Sequence, residues 1–176
     1  MRAARRARFM TRALGPILKT ILFTIFVPGT VAVLIPNWLI GGYPPFVPGP
    51  LMWLGVLVTL VGAAIYFRCA WEFAVRGLGT PAPIAPTKFL VTTALHRYVR
   101  NPMYIGVALV IVGQSALFRR PHLVEYAAVM LLIAHVFVIF YEEPTLRRQF
   151  GESYEEYRRA VPRWIPRFRL DRPSQL

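Results

Sequence analysis

Four long apolar runs, parted by connections that hold most of the arginines, constrain this chain more than any other feature. Crossing the hydrocarbon of a bilayer takes about 20 apolar residues in a helix, which satisfies its own backbone there. The runs are Leu14 to Ile40, Leu51 to Phe67 with an extension toward Trp71, Pro102 to Phe118, and Leu123 to Tyr141. Of the 176 residues, 56% are hydrophobic and 16% charged; soluble domains hold about 45–50% and about 25%. The expected fold is all-α: a single-domain polytopic membrane helical bundle of about four transmembrane helices with a C-terminal cytoplasmic helical segment. Pro28 and Pro36 fall inside the first run and should kink or break it.

Net charge is +13. Such a balance points to nucleic acid or to an anionic membrane surface. The apolar runs decide for the membrane, and no nucleic-acid-binding motif accompanies the charge. Arg2, Arg5, Arg6, Arg8, Arg12 and Lys19 would face anionic cytoplasmic lipid, at about 1 kcal/mol each. The first apolar run is too long for a secretory signal and lacks a small-residue cleavage pattern. Gly41 to Pro50 carries no charge and reads as an outside loop. The connection from Arg68 to Arg100 holds Arg68, Arg76, Lys88, Arg97 and Arg100 and reads as cytoplasmic. Both termini then lie in the cytoplasm, against the dissent of Arg119 and Arg120 in the third-to-fourth connection. A bacterial inner membrane is the expected location. The lone cysteine, Cys69, reads as a small buried or lipid-facing residue.

Two polar clusters sit where spans meet the cytosol: Arg100-Asn101-Pro102-Met103-Tyr104-Ile105-Gly106, and Tyr141-Glu142-Glu143-Pro144. At the two ends of one helical hairpin they should meet in space. Asn101 is a favoured N-cap and Pro102 a favoured first helical residue, which accounts for both as the start of the third span. A helix start also binds anions through free N–H groups. Glu142 and Glu143 stand where a helix end disfavours negative charge. Glu143 can pair with Arg147 at i,i+4, with Pro144 opening a new helix; Glu142 is then left for a cationic ligand. A helix start facing a carboxylate would suit a ligand carrying both carboxylate and amine, as S-adenosylmethionine or an amino acid does. His122 and His135 do not group with His96, and there is no metal-ligand spacing, phosphate loop or Ser-His-Asp arrangement. Gly77 to Pro86 should be irregular, and Phe89 to Val99 should lie along the interface. Beyond Pro144, two short helices hinged at Gly151 are expected, the second opened by a capping box at Ser153 and Glu156. Tyr154, Tyr157 and Val161 should share one face.

These residues resemble the integral-membrane methyltransferases that use S-adenosylmethionine, among them the isoprenylcysteine carboxyl and phospholipid N-methyltransferases. Leu90 to Thr93 and Arg97 to Gly106 look like the family's first motif, Tyr141-Glu142-Glu143-Pro144 like its acidic motif, and Phe150 to Tyr157 with Val161 to Pro166 like its C-terminal signature. The likeness runs from Lys88 to Pro166. It implies a cofactor-binding catalytic half over residues 88–166, with residues 1–87 supplying N-terminal spans and a loop. By that resemblance Lys88, Phe89, Leu90, Val91, His96, Asn101, Pro102, Met103, Tyr104 and Glu142 bind the cofactor, while Glu143 and His96 are the candidate catalytic groups. Asn101 stands where the prenylcysteine enzymes have histidine. Val138 stands where they have an arginine, the cation a carboxylate substrate would want. The implied reaction is methyl transfer to a lipid amine or other lipid-like acceptor. Carboxyl methylation of prenylcysteine, methylation of a small thiol, and a non-catalytic membrane module are the alternatives.

Overall fold

The computed structural model describes residues 15, 17–42, 47–75 and 89–167. Among them the chain is helical and without strands, as expected. Helix α1 spans Ile17–Ile40, α2 Pro50–Val75, α3 Pro102–Phe118 and α4 His122–Phe137. A π-helical segment, Val138–Glu142, carries α4 without a break into α5, Glu143–Phe150; α6 is Glu152–Ala160. Helices α1 and α2 and the continuous His122–Phe150 are each long and apolar enough to cross a membrane. The 17-residue α3 rises only about 25 Å, on the short side of a span.

Helix α1 answers the proline question. It is neither broken at Pro28 nor at Pro36; a π-helical segment, Thr30–Leu34, absorbs the mismatch. Within it the Ile35 N–H donates to Thr30 O, so Val31 O loses its ordinary donor. Pro36 has no N–H for Ala32 O. Both carbonyls are answered from neighbouring helices: Tyr126 Oη donates to Val31 O at 2.9 Å, and Gln114 Nε2 to Ala32 O at 2.7 Å. In hydrocarbon an unanswered carbonyl costs several kcal/mol, so these bonds fix α1 against α3 and α4.

Helices α2 and α3 pack antiparallel along glycines. A Cβ on Gly62 would lie 2.6 Å from Gly106 O, and one on Gly106 would lie 2.8 Å from Gly62 O. Gly55 and Gly113 repeat the arrangement one heptad away. Lipid supplies no hydrophobic drive between helices, and close backbone approach through small residues replaces it. The core gathers Ala32, Tyr66, Ala70, Val107, Ile111, Leu123 and Ala127. Trp38, Trp53, Leu132, Ile133 and Phe140 point outward, as lipid-facing residues do.

Several expectations are corrected. The helix of the fourth span does not stop at its polar end, because the π-helical turn lets Glu143 N–H donate to Val138 O and carries the helix past Pro144. Ser153 and Glu156 form no capping box. Helix α6 starts at Glu152, capped by Gly151 at a positive φ of 55° that a side chain would strain. Phe89 to Val99, expected along the interface, is an irregular stretch with one 3₁₀ turn, Ala94–Arg97. Arg2, Arg5, Arg6, Arg8, Arg12, Arg76, Lys88 and the Gly77–Pro86 stretch lie outside the described residues.

Candidate functional site

The four spans bring one end of each helix together: the start of α1, the end of α2, the start of α3 and the end of α4. The C-terminal stretch folds back across this end. Arg100 N–H donates to Pro162 O at 2.9 Å, Arg167 N–H to Tyr98 O at 3.1 Å, and Asn101 Nδ2 to Arg163 O at 3.2 Å. Asn101 therefore occupies the N-cap position of α3 without capping it; its side chain ties down the residues after α6 instead. Tyr154 and Val161 are buried and Tyr157 half-buried, on the shared face expected of α6.

Under this strap lies a small cleft, of about 30 Å³, lined by Arg100, Asn101, Val138, Glu142, Glu143, Leu146, Tyr154 and Tyr157. Asn101 and Glu142, 41 positions apart in the chain, thus face one cavity. The two adjacent glutamates have opposite surroundings. Glu143 is buried and accepts from two guanidiniums: Arg100 Nη1 at 2.9 Å, and Arg163 through Nε at 2.7 Å and Nη2 at 3.1 Å. Its expected partner, Arg147, instead bonds Glu155 at 2.7 Å. The bidentate fork suits a guanidinium on a carboxylate, and Arg163 is held further above its usual pKa by that hydrogen bond. Glu142 is half-buried and accepts from Tyr104 Oη at 3.2 Å. No described residue forms an ion pair with it. Arg100 keeps a second feature: its Nε is buried and has no partner. The cleft thus offers an unneutralised carboxylate and an unsatisfied guanidinium N–H.

The other expected site residues are spread around this cavity rather than in it. His96 is buried beside it, its ring edge-on to Phe73 at 5.2 Å, its Nδ1 unpartnered and its carbonyl accepting from Tyr157 Oη at 2.7 Å. Burial lowers its pKa to about 4 against the opposing pull of Glu72. Burial likewise raises the Tyr154 and Tyr157 hydroxyls above the usual phenol range. Pro102 is buried at the helix start, Met103 packs against the hydrophobic core, Val91 is buried, Leu90 half-buried and Phe89 exposed.

Three residues carry structure that the sequence reading passed over. Glu72, buried in α2, pairs with Arg68 and accepts from Thr93 Oγ1 at 2.8 Å. An acid inside an apolar run is itself a signal, since it needs partners. Arg163 stands between two prolines, and its role needs the strap's path. His135 accepts from Trp164 Nε1 at 2.8 Å; only the folded strap makes them neighbours.

A helical membrane bundle with a polar cleft at the end of its last hairpin is the class of protein these features define. The model of the phospholipid methyltransferase family matches residues 50–153, and the chain belongs to that family. Over 83 residues it is 40% identical to a methanethiol S-methyltransferase of Crocosphaera subtropica, covering 46% of this chain and 30% of that protein. Over 82 residues it is 34% identical to a protein-S-isoprenylcysteine O-methyltransferase of Schizosaccharomyces pombe, covering 44% of this chain and 33% of that protein. The matched stretch spans about a third of the length of these curated relatives.

Proposed function

We propose that the chain transfers a methyl group from S-adenosylmethionine to an acceptor that partitions into the membrane, a lipid amine. The observation that carries this is Glu142: a half-buried carboxylate with no cation beside it, in a cleft shared with Asn101 and the unpartnered Nε of Arg100. A zwitterionic amino-acid end fits that pair, its ammonium on Glu142 and its carboxylate on Arg100 and the start of α3. The cleft holds about 30 Å³ of enclosed free space, far below the roughly 300–1,000 Å³ of drug-sized ligand sites, so it must widen to admit a ligand. In this reading it takes the amino-acid end, and the remainder extends past Tyr157 toward Val91 and His96. Phe89 and Leu90 complete that wall.

When bound, the cofactor supplies an electrophilic methyl carbon on a positively charged sulfur. The chain's residues bind, align and exclude water. Glu143 enters this reading as a positioning group: its charge locks Arg100 and Arg163, so the strap closes the cleft. His96, neutral at pH 7, holds Tyr157 through its carbonyl and keeps the floor rigid. An amine acceptor sheds its ammonium proton to water at the cleft mouth. Residues 88–166 then form the donor-binding half of a single domain. Both termini and the cleft face the cytoplasm, so donor arrives from water and acceptor from lipid.

The two named relatives favour a second reading, in which the acceptor is a thiol or a prenylcysteine carboxylate. Val138 brings no cation to the cleft and Arg100 serves the donor in this reading, which leaves the thiol as the stronger alternative. Membranes incubated with methyl-labelled donor separate these readings. Label in lipid headgroups is the expected result; label in a small thioether or in protein C-termini transfers the assignment, and label nowhere removes it.

A further inference from the structure

Beside Glu142, on the bilayer side of the cleft, three aromatic rings meet. The Tyr104 and Trp164 rings are 6.2 Å apart and inclined at 63°, forming a corner. His135 lies 5.9 Å from Trp164 and accepts its indole N–H. His135 precedes Glu142 by seven residues on the continuous helix, about 10 Å deeper in the membrane. Trp164 is thus the strap residue that reaches into the spanning region. All three rings are half-buried, so none is sealed in the core.

Both corner rings are arranged as electron-rich hosts. Tyr104 donates its hydroxyl to a carboxylate, and Trp164 donates its N–H to an imidazole. Hydrogen bonds in a low dielectric polarise one another, and each donation pushes electron density toward the ring that makes it. Electron-rich ring faces attract cations. The nearby arginines do not compete, because Arg100 and Arg163 are bound to Glu143.

We propose that Trp164, oriented by His135, forms with Tyr104 the acceptor subsite, an aromatic corner for the cationic head of a lipid amine, including heads that already carry methyl groups. The proposal rests on the lipid-amine reading above and deepens it. Each added methyl removes one N–H donor from the head, so hydrogen bonding to a carboxylate weakens along the series. The positive charge remains, and attraction to ring faces does not need donors. Dependence on Trp164 should therefore grow with the number of methyl groups already present.

The test uses the full chain in detergent micelles or proteoliposomes, methyl-labelled donor, and vesicles of phosphatidylcholine carrying phosphatidylethanolamine, its monomethyl form or its dimethyl form. The parent is expected to label all three. Trp164→Leu should reduce labelling of the dimethyl head about tenfold more than that of the primary amine, and Trp164→Phe should keep the parent's ratio. His135→Leu should shift the ratio in the same direction, and His135→Gln, whose amide oxygen can still accept from the indole, should restore it. Donor affinity measured by calorimetry should be unchanged in all four variants, which shows them folded. Equal losses on all three heads, or no loss, overturn the subsite while leaving the lipid-amine reading intact. A parent that labels a long-chain thiol and no amine overturns both.

Discussion

Glu142 and Glu143 are neighbours in sequence with unlike tasks, and the difference comes from the strap. Glu143 turns toward Arg100 and Arg163, while Glu142 meets only the Tyr104 hydroxyl. Replacing Glu143 by Gln leaves two guanidiniums without their carboxylate; a loss of about 3 kcal/mol is expected, read as a lowered melting temperature in detergent. Donor binding should fall with it, because the strap loosens. Arg100→Lys keeps a charge for Glu143 but removes the Nε donor, so donor affinity should drop with little change in melting. His96 gives a pH signature. Its folded pKa of about 4 lies below the ordinary 6.5, so between those values the unfolded chain binds a proton that the folded chain refuses. Stability is therefore full above about pH 6.5 and falls as pH drops toward 4. Melting temperature between pH 7 and 4 should track this loss, and His96→Gln should flatten it. The sequence made Asn101, Tyr104 and Glu142 legible as a cluster, because polar residues at span ends stand out against apolar runs. It could not assign the partners of Glu143: Arg147 was near in sequence, but Arg100 and Arg163 are near in space.

At the scale of elements, continuous apolar runs located α3 to the residue and α2 and α4 to within a turn or two, since hydrocarbon demands continuous helices. The π-helical segments were not legible. Prolines in a soluble helix interior end or kink it, whereas here Gln114 and Tyr126 take over the carbonyls that Pro36 and the π turn release. Gln114→Leu should destabilise the bundle by about 1–3 kcal/mol, the cost of an unsatisfied buried carbonyl, read as a lowered melting temperature in detergent. The glycine seam makes a sharper prediction. Gly62→Ala drives a Cβ against Gly106 O and Val110 N, both backbone, so the helices must part; a cost of about 1–3 kcal/mol follows. Gly49→Ala, with nothing within 4 Å of its Cβ, should be silent. Thermal melts of the two variants in one detergent decide the matter.

At the scale of the molecule, four antiparallel spans put Ile17, Val75, Pro102 and Glu142 at one end, and the strap seals that end over the cleft. Cytoplasmic placement of this end is our proposal from the arginine distribution; it predicts that a C-terminal reporter fusion is active only as a cytoplasmic marker, and activity only as an external marker would overturn it. The acceptor was the least legible property, because the aromatic corner we propose for it is closed by Trp164 from outside the spans. The account stands on the cleft as the donor's seat. Titrating S-adenosylmethionine into the purified protein by calorimetry, parent beside Glu142→Gln, tests it most directly. Saturable binding by the parent, weakened at least about tenfold in the variant at an unchanged melting temperature, is the predicted result. Equal binding by both proteins, or none by the parent, would contradict it.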